Sequence, residues 1–283
     1  MPANPATRLI YHPAGRAGEF AEVACNPYKG CAHACAYCYV PLLPPYPARA
    51  AFHSQIAARQ FGNIERELAF KFDKEEWTRT PVLFSFTTDP YQPLEAELEH
   101  TRSLIRAIKA HGFAVNILTK NPELVLRDLD ILDPATDMIG TTLTTMSIGE
   151  AARWEPGSPT PTARVTALHR LHREGFFTWV SLEPIIQVSS TIDVLAATAP
   201  FVDHYKAGLL NYASRLQDAE LRDIGKAMDR AAVAAVVVEY LEDYGYTASA
   251  PNTWDRMTYL PKATIREFCQ FSDLGLDSKP KWY

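Results

Sequence analysis

The sequence has no long apolar run, and no stretch approaches the roughly 18 to 20 residues that a membrane-spanning helix requires. Its first residues, Met-Pro-Ala-Asn-Pro-Ala-Thr-Arg, contain no apolar segment of the kind found in secretory signals. Internal repeats, low-complexity tracts and breaks in composition are missing as well. We therefore expect a cytoplasmic protein that does not bind membranes.

An excess of basic residues is also missing, since the formal net charge is −5 over 283 residues. This balance argues against a broad phosphate-binding face, although an acidic protein can still carry a local basic groove. Residues 49–79 are locally basic, but interleaved acidic residues favour a solvated helix face there. Nucleic acid is therefore one candidate substrate, and the composition does not require it.

Cysteine is scarce, yet three of the five cysteines lie in the stretch Cys31-Ala-His-Ala-Cys35-Ala-Tyr-Cys38. In a cytoplasmic protein, clustered cysteines indicate a metal centre more often than a disulfide. One short loop can surround a centre with three thiolates, one short of a closed four-ligand site. The residues alone leave four interpretations: a Cys₃His zinc site that includes His33, a disulfide, a reactive thiol pair, or a four-iron, four-sulfur cluster with one open iron.

Apolar runs of β-forming residues alternate with helical periodicity along most of the chain. Strands are predicted at residues 19–25, 82–87, 113–119, 138–144, 176–182 and 203–209. Helices are predicted at residues 55–72, 95–111, 122–129, 162–174, 190–198 and 215–230. The proline-rich loop after Cys38 is expected to stay irregular until about Ser54. Six strand–helix units predict an α/β fold whose parallel sheet curls into a partial (β/α)₆ barrel.

The same pattern divides the chain into three parts. Residues 1–18 are expected to form an N-terminal arm, and residues 19–230 the barrel. Residues 231–283 are expected to form a C-terminal helical extension that packs on the barrel as a cap. Within that extension, helices are predicted at residues 231–246 and near 262–271.

The spacing Cys-x₃-Cys-x₂-Cys, with an aromatic residue before the last cysteine, resembles the signature of radical S-adenosylmethionine (SAM) enzymes. Two longer stretches, Asn26-Pro-Tyr-x-Gly-Cys-x-His-x-Cys-x-Tyr-Cys-Tyr39 and Thr88-Asp-Pro-Tyr-Gln-Pro-x-Glu95, are similar to the spore photoproduct lyase-like branch of that superfamily. With the order of strands, the likeness covers roughly residues 20–215. It implies a radical-SAM-type barrel whose cysteine loop follows the first strand.

The resemblance implies that Cys31, Cys35 and Cys38 bind a [4Fe-4S] cluster and that SAM occupies the open iron. Reductive cleavage of SAM would give a 5′-deoxyadenosyl radical that abstracts hydrogen from a substrate. A flavodoxin or ferredoxin is implied as electron donor. The founding activity of the branch is repair of a thymine lesion in DNA, with a further cysteine as hydrogen donor. Neither Cys25 nor Cys269 has the mid-chain position expected of that donor, so the resemblance leaves the substrate open.

Functional side chains in such barrels gather at the carboxyl ends of the strands. The predicted cofactor contacts are Tyr37, Ser85, Thr87, Thr88, Asp89, Lys120, Thr142, Thr144, Ser181 and Glu183. Among them, Asp89 is expected to accept from the methionine ammonium, and Lys120 to pair with the carboxylate. The predicted substrate contacts are Tyr91, Gln92, Glu95, Asn211 and Tyr212. Two alternatives remain: a non-catalytic binding module with a structural iron–sulfur or zinc site, and radical modification of a partner protein or a nucleotide.

Overall fold

The computed structural model describes residues 9–13, 21–62, 81–248 and 257–261. The described strands are β1 (Ile10–Tyr11), β2 (Ala24–Cys25), β3 (Tyr28–Lys29), β4 (Ala57–Ala58), β5 (Val82–Phe84), β6 (Val115–Thr119), β7 (Met138–Thr142), β8 (Phe177–Ile185), β9 (His204–Leu209), β10 (Tyr246–Ala248) and β11 (Met257–Pro261). The described helices are α1 (Arg49–Ser54), α2 (Glu95–Leu98), α3 (His100–Lys109), α4 (Pro122–Val125), α5 (Ile148–Trp154), α6 (Pro161–Arg173), α7 (Val188–Thr198), α8 (Ala219–Ala227) and α9 (Arg230–Asp243). None of these helices is long and apolar enough to cross a membrane.

Nine of these strands form one open sheet in the order β1-β2-β5-β6-β7-β8-β9-β11-β10. The central run from β2 to β9 is parallel throughout. Strand β1 pairs antiparallel with β2 at one edge, and β11 pairs antiparallel with β9 at the other. The six parallel strands with intervening helices confirm the predicted α/β class and its mostly parallel sheet.

Alternate residues of the parallel strands face two different apolar layers, as the period of a strand requires. Val82 and Phe84 of β5 pack on the helical side, in a cluster with Leu104 and Ile105 of α3. Leu83, between them, faces the other side and packs in a cluster with Trp179. Because both faces are buried, these strands read in sequence as short continuous apolar runs.

Several helices begin where the sequence provides a capping side chain. The side chain of the residue before the first turn accepts from a backbone N–H of that turn in α5, α6, α8 and α9, where the capping residues are Ser147, Thr160, Asp218 and Asp229. Helix α8 therefore begins at Ala219, after a 3₁₀ turn at Ala213–Arg215, instead of at residue 215 as predicted.

The prediction for residues 39–72 is only partly confirmed among the described residues, where 43–48 form neither helix nor strand, as expected. Helix α1 forms at Arg49–Ser54, inside the stretch that we expected to remain irregular. Residues 55–62 lie outside any helix, and Ala57–Ala58 pairs with Tyr28–Lys29 as the ribbon β3–β4. A backbone partner distant in sequence overrides helical periodicity here. The remainder of the predicted helix, residues 63–72, lies outside the described residues.

The two ends of the chain also differ from the predictions. The predicted first strand is confirmed only at Ala24–Cys25, and its partner β1 lies within the predicted arm. Helix α9 confirms the helix predicted at residues 231–246 but ends at Asp243, and Gly245 follows with a φ of +85°. Strands β10 and β11 then extend the sheet, although we predicted a helical cap. The helix predicted near 262–271 lies outside the described residues, as does Cys269, and the division into three parts stays a prediction.

Candidate metal centre

The three-cysteine loop, residues 30–39, lies directly after β2 and β3 and forms neither helix nor strand. Cys35 and Cys38 are joined by a tight turn, in which the Cys38 N–H donates to the Cys35 carbonyl at 3.0 Å. Burial raises the pKa of all three thiols, that of Cys35 to about 12. Backbone N–H groups of His33 and Val40 act in the opposite direction on the pKa values of Cys31 and Cys38. The loop therefore holds one buried and two partly exposed cysteines in a setting where a thiolate needs a positive partner.

Helix α1 holds this loop through the carbonyl groups of the three cysteines. Arg49 donates through Nη1 to the Cys35 carbonyl at 2.8 Å and through Nη2 to the Cys38 carbonyl at 2.6 Å. Four residues later, His53 Nδ1 lies 2.9 Å from the Cys31 carbonyl. A carbonyl oxygen only accepts, so this contact places the ring proton on Nδ1. The sulfur atoms take no part in these three contacts.

The segment after β5 holds the loop from a second direction. Gln92 is fully buried, and its Oε1 accepts from the Ala32 N–H at 2.9 Å. Its Nε2 donates to the Gly30 carbonyl at 3.3 Å. One side-chain amide thus satisfies two backbone groups of the loop.

Asp89, in the same segment, connects the loop to the end of β6. Its Oδ1 accepts from the Tyr91 N–H at 2.8 Å and the Thr119 hydroxyl at 2.6 Å. Its Oδ2 accepts from the Lys120 N–H at 2.8 Å and lies 3.2 Å from His33 Nε2. Burial raises the pKa of Asp89, but His33, Thr119 and Lys120 outweigh burial and lower the pKa to about 2. Since the protein engages both oxygens, this geometry favours a positioning role over the predicted contact with a cofactor ammonium.

Residues 154–157 hold the loop from a third direction, through backbone contacts. The Ala36 N–H donates to the Trp154 carbonyl at 2.8 Å, and the Gly157 N–H donates to the His33 carbonyl at 3.0 Å. His33 Nδ1 in turn lies 2.8 Å from the Gly157 carbonyl. Both ring nitrogens of His33 therefore face oxygen atoms of the protein, which disfavours the zinc site that would use His33 as a ligand.

A group of buried charges lies beside Cys35. Glu155 and Arg164, each 1% exposed, form an ion pair with 2.5 Å between Oε2 and Nη1, at an angle too bent for a good hydrogen bond. Lys120 Nζ is 4.0 Å from Glu155 Oε1 and 5.5 Å from the centre of the Tyr37 ring. Burial lowers the pKa of Lys120, but Cys35 and Glu155 outweigh burial and raise it. Burial raises the pKa of Glu155, but Arg164 and Lys120 outweigh burial and lower it.

Several predicted cofactor contacts meet at this group of charges. The Tyr37 hydroxyl donates to Glu155 Oε1, and the Thr144 hydroxyl donates to the same oxygen at 3.3 Å. The Thr142 carbonyl accepts from Arg164 Nη1 at 3.1 Å. The structure thus brings Tyr37, Lys120, Thr142 and Thr144 together around a carboxylate that we did not predict.

The other predicted cofactor contacts lie along the ends of β5 and β8. Ser85, Thr87 and Thr88 are buried, and the Thr88 hydroxyl has no hydrogen-bond partner among the residues that the structure describes. Ser181 is buried near the end of β8, and its carbonyl accepts from the Leu143 N–H at 3.0 Å. Glu183 follows on the same strand and is half-buried. Their roles toward a cofactor stay predictions.

Three predicted substrate contacts are interior residues. Tyr91, Gln92 and Glu95 are all 0% exposed. The Tyr91 hydroxyl donates to Asp128 at 2.9 Å, and Glu95 accepts from the Tyr28 hydroxyl at 2.5 Å and from Arg127 at 2.8 Å. Partners distant in sequence use the polar atoms of these residues, and their role toward a substrate stays a prediction.

The other two predicted substrate contacts follow β9. Asn211 is half-buried, whereas Tyr212 is 46% exposed. The Tyr212 ring stacks on Tyr39, one residue beyond Cys38, with ring centres 6.0 Å apart. Arg215 lies over the Tyr212 ring at 5.7 Å. An exposed aromatic surface, made of Tyr39, Tyr212 and Arg215, therefore adjoins the cysteine loop.

The residues present fit a [4Fe-4S] cluster. None of the described cysteines forms a disulfide. In the described part of the chain, no three His, Cys, Asp or Glu side chains converge so as to hold a single metal ion. A cluster makes no such demand, since each thiolate binds a different iron. Burial raises the pKa of the Cys38 thiol, and the cations Arg49 and Lys120 act against that rise.

Sequence reasoning missed Arg49, His53, Glu155, Gly157 and Arg164. Glu155 and Gly157 lie in Trp154-Glu155-Pro156-Gly157, between β7 and α6, where no element was predicted. The signal available there was a charged residue followed by Pro-Gly after an apolar run. Arg49 and His53 were missed because their helix was predicted to be a loop.

No protein-family model matches the chain. An uncharacterized protein of Methanocaldococcus jannaschii is 26% identical over 193 residues, which cover 68% of this chain and 71% of that protein. An uncharacterized protein of Mycobacterium tuberculosis is 28% identical over 168 residues, or 57% of this chain. The match spans 48% of the mycobacterial protein, about half of its length. These likenesses carry no assigned activity.

Two solved structures share the fold. A structure of spore photoproduct lyase complexed with dinucleoside spore photoproduct gives a TM-score of 0.50 at 13% identity, covering 96% of this chain and 77% of that one. A structure of TYW1 with a lysine-pyruvate adduct bound gives a TM-score of 0.51 at 11% identity, covering 85% of this chain and 80% of that one. Both are radical SAM enzymes, and at these identities the likeness concerns the fold. The predicted α/β fold with its mostly parallel central sheet is thereby confirmed, and both structures share it.

The close approach at Gly157 gives a first prediction. A Cβ at this position would overlap the Ala32 carbonyl oxygen and lie 2.8 Å from His33 Cα. Gly157→Ala should therefore push the cysteine loop away and destabilise the protein by roughly 1–3 kcal/mol. Gly149→Ala is the matched control, since its Cβ would come no nearer than 3.9 Å to Ser147 Oγ. Urea unfolding measures both, and equal stabilities of the two variants would contradict the prediction.

The contacts of Asp89 give a second prediction, about pH. A carboxyl pKa that is lower in the folded protein than the unfolded value near 3.8 stabilises the fold above about pH 4. That contribution is lost as the pH falls toward about 2, where the folded carboxyl protonates. Asp89→Asn should therefore be about 2 kcal/mol less stable than the wild type near pH 6, and the difference should vanish near pH 2. Urea midpoints across this range test it, and a difference that does not change with pH would refute it.

Proposed function

We propose that this chain is a radical SAM enzyme in which Cys31, Cys35 and Cys38 hold a [4Fe-4S] cluster and SAM binds the open iron. One observation carries the proposal. The three thiols, of which Cys35 is buried and Cys31 and Cys38 are partly exposed, lie on a loop that is held through its backbone from three sides, at the carboxyl edge of a parallel sheet. That edge is where sites of such barrels lie. The shared fold with two radical SAM enzymes supports the same class.

When bound, the cluster and SAM supply one-electron cleavage of a carbon–sulfur bond, which yields a 5′-deoxyadenosyl radical. The protein's own residues orient and balance the charges of these groups. Lys120 is a partly buried cation next to Cys35, so it balances thiolate charge and is suited to pair with a cofactor carboxylate. Glu155 and Tyr37 fix the position of Lys120. Asp89 fixes the loop against the end of β6.

We further propose that the enzyme acts in the cytoplasm and receives its electron from a flavodoxin or ferredoxin. Its reaction is of the lyase type or a radical modification of a partner protein or nucleotide. The competing class is a binding module in which the metal only stabilises the loop. Formation of 5′-deoxyadenosine separates the two classes, since a structural cluster has no need to cleave SAM.

The cysteines give the third prediction. Replacing Cys31, Cys35 or Cys38 by alanine should remove the iron, the brown colour of the anaerobically reconstituted protein, and the formation of 5′-deoxyadenosine from SAM under reducing conditions. Cys25→Ala is the matched control, because this cysteine is buried in β2 outside the loop. Iron content, absorption near about 400 nm and product chromatography measure the outcome.

Two results would decide against the enzyme. A wild-type protein that binds iron but forms no 5′-deoxyadenosine would support the binding module. A colourless protein that contains one zinc ion would exclude the cluster.

A nucleic acid is the candidate substrate that one specific observation favours. The aromatic surface of Tyr39, Tyr212 and Arg215 adjoins Cys38 and leaves the Tyr212 ring 46% exposed. Exposed aromatic rings with a nearby arginine stack on unpaired bases. Spore photoproduct lyase, which shares the fold, has been solved with a dinucleoside photoproduct. We propose that this surface receives a base of a single-stranded or flipped-out nucleotide.

The fourth prediction tests this surface. Tyr212→Ala should weaken binding of a fluorescent thymidine oligonucleotide by about tenfold or more, since stacking on one aromatic ring contributes roughly 1–3 kcal/mol. Tyr244→Ala is the matched control, because Tyr244 is also 46% exposed and stacks on Tyr240. Fluorescence anisotropy gives both dissociation constants. Equal affinities of the two variants would exclude the surface as a base-binding site.

A further inference from the structure

One face of helix α1 contacts all three cysteines through their carbonyl groups. Arg49 and His53 are four residues apart, so their side chains project from the same face of the helix. Arg49 binds the carbonyls of Cys35 and Cys38, and His53 binds that of Cys31. Two side chains thereby fix the backbone of every proposed iron ligand.

We infer that Arg49 and His53, the α1 clamp, are positioning residues for the metal centre. They hold the loop in its ligand-binding shape before metal enters, and Arg49 places a positive charge beside the bound cluster. The inference rests on the proposed function, because it assigns these residues a role toward the proposed cluster. Neither residue touches a sulfur in this arrangement, so neither competes with iron.

Helix α1, which carries the clamp, is itself packed against the loop. Phe52, between the two clamp residues, is 1% exposed and packs edge-on against Tyr46, with ring centres 6.0 Å apart. Its carbonyl accepts from the Cys31 N–H at 3.1 Å. Gly30, with a φ of +74°, allows this approach, because a Cβ there would lie 2.7 Å from the same carbonyl. Helix α1 and the cysteine loop therefore pack as one unit. This packing fixes the part of the backbone from which the side chains of Arg49 and His53 project.

The chemistry of the two side chains explains why Arg49 binds two carbonyl groups and His53 binds one. The guanidinium is planar and has donors in a fixed fork, so one arginine can bind two carbonyls at a set separation. A lysine in its place keeps the charge and loses the fork. Hydrogen bonds and net charge around a cluster set its reduction potential, and a nearby positive charge favours the reduced form. Substitutions of Arg49 can therefore separate its effect on the position of the loop from its effect on the reduction potential of the cluster.

The fifth prediction uses three variants and two controls. Arg49→Gln and His53→Gln should each lower iron affinity by about tenfold or more, as loss of an outer-shell contact does in other metal sites. Arg49→Gln should also shift the midpoint potential of any retained cluster to a more negative value. Arg49→Lys should lower iron affinity but keep the potential closer to that of the wild type.

The controls bind carbonyl groups elsewhere. Arg222 donates to the carbonyls of Leu216 and Gln217 at 2.7 and 2.8 Å, and His111 Nδ1 lies 2.8 Å from the Ala107 carbonyl. Arg222→Gln and His111→Gln should keep wild-type iron content and potential. Chelator competition and redox titration monitored by electron paramagnetic resonance give the two readouts. Clamp variants that match these controls in both readouts would overturn the inference.

A metal-free measurement separates the clamp from the proposed function. In protein without iron, the double variant Arg49→Gln/His53→Gln should exchange the backbone amide hydrogens of residues 31–38 faster, while the sheet keeps its protection. Unchanged protection of the loop would overturn the clamp even if the wild type cleaves SAM. A wild type that binds no iron would refute the proposed function, and the exchange experiment would still decide whether the clamp shapes the loop.

Discussion

The arrangement of the site depends on one constraint, the pairing of buried backbone groups in an irregular loop. Residues 30–39 form neither helix nor strand, so their amides and carbonyls have no ladder in which to pair. Helix α1, Gln92 and the segment 154–157 supply the missing partners from three directions. An unpaired buried backbone group costs as much as a lost hydrogen bond, so these contacts decide the shape of the loop. None of them uses a sulfur.

The second constraint is charge balance, and it explains why Lys120, Glu155 and Arg164 lie together next to Cys35. Lys120 and Arg164 carry two positive charges, and the carboxylates of Glu155 and Asp89 both act on Lys120. A buried charge without a partner is costly, and these groups balance one another within the protein. Under the proposed function, thiolates that bind iron would add negative charge here. The same two cations act against the burial that raises the pKa of the Cys35 thiol.

The fold could be predicted from sequence further than the site could. Buried strands such as Val82–Phe84 and Val115–Thr119 follow from apolar runs bounded by proline or glycine, which are local signals. The role of Gln92 could not be predicted from its neighbours in sequence, because its partner Ala32 is 60 residues away. We expected Gln92 to contact a substrate, but its side chain is buried and binds backbone groups of the loop. Helix α1 was missed because the prolines before it masked a short run of alanine and arginine.

The loop contacts also bear on the order of assembly. A small zinc domain folds only when metal binds, because its ligands have no other support. Here helix α1, Gln92 and the segment 154–157 support the loop, and the described sheet buries a large apolar core. The free energy of folding therefore does not have to come from iron. Under the proposed function, metal binding would have to overcome the pKa values of the three thiols, which burial raises, because their protons leave as the thiolates form. In such a site, insertion of the metal is coupled to deprotonation more than to folding.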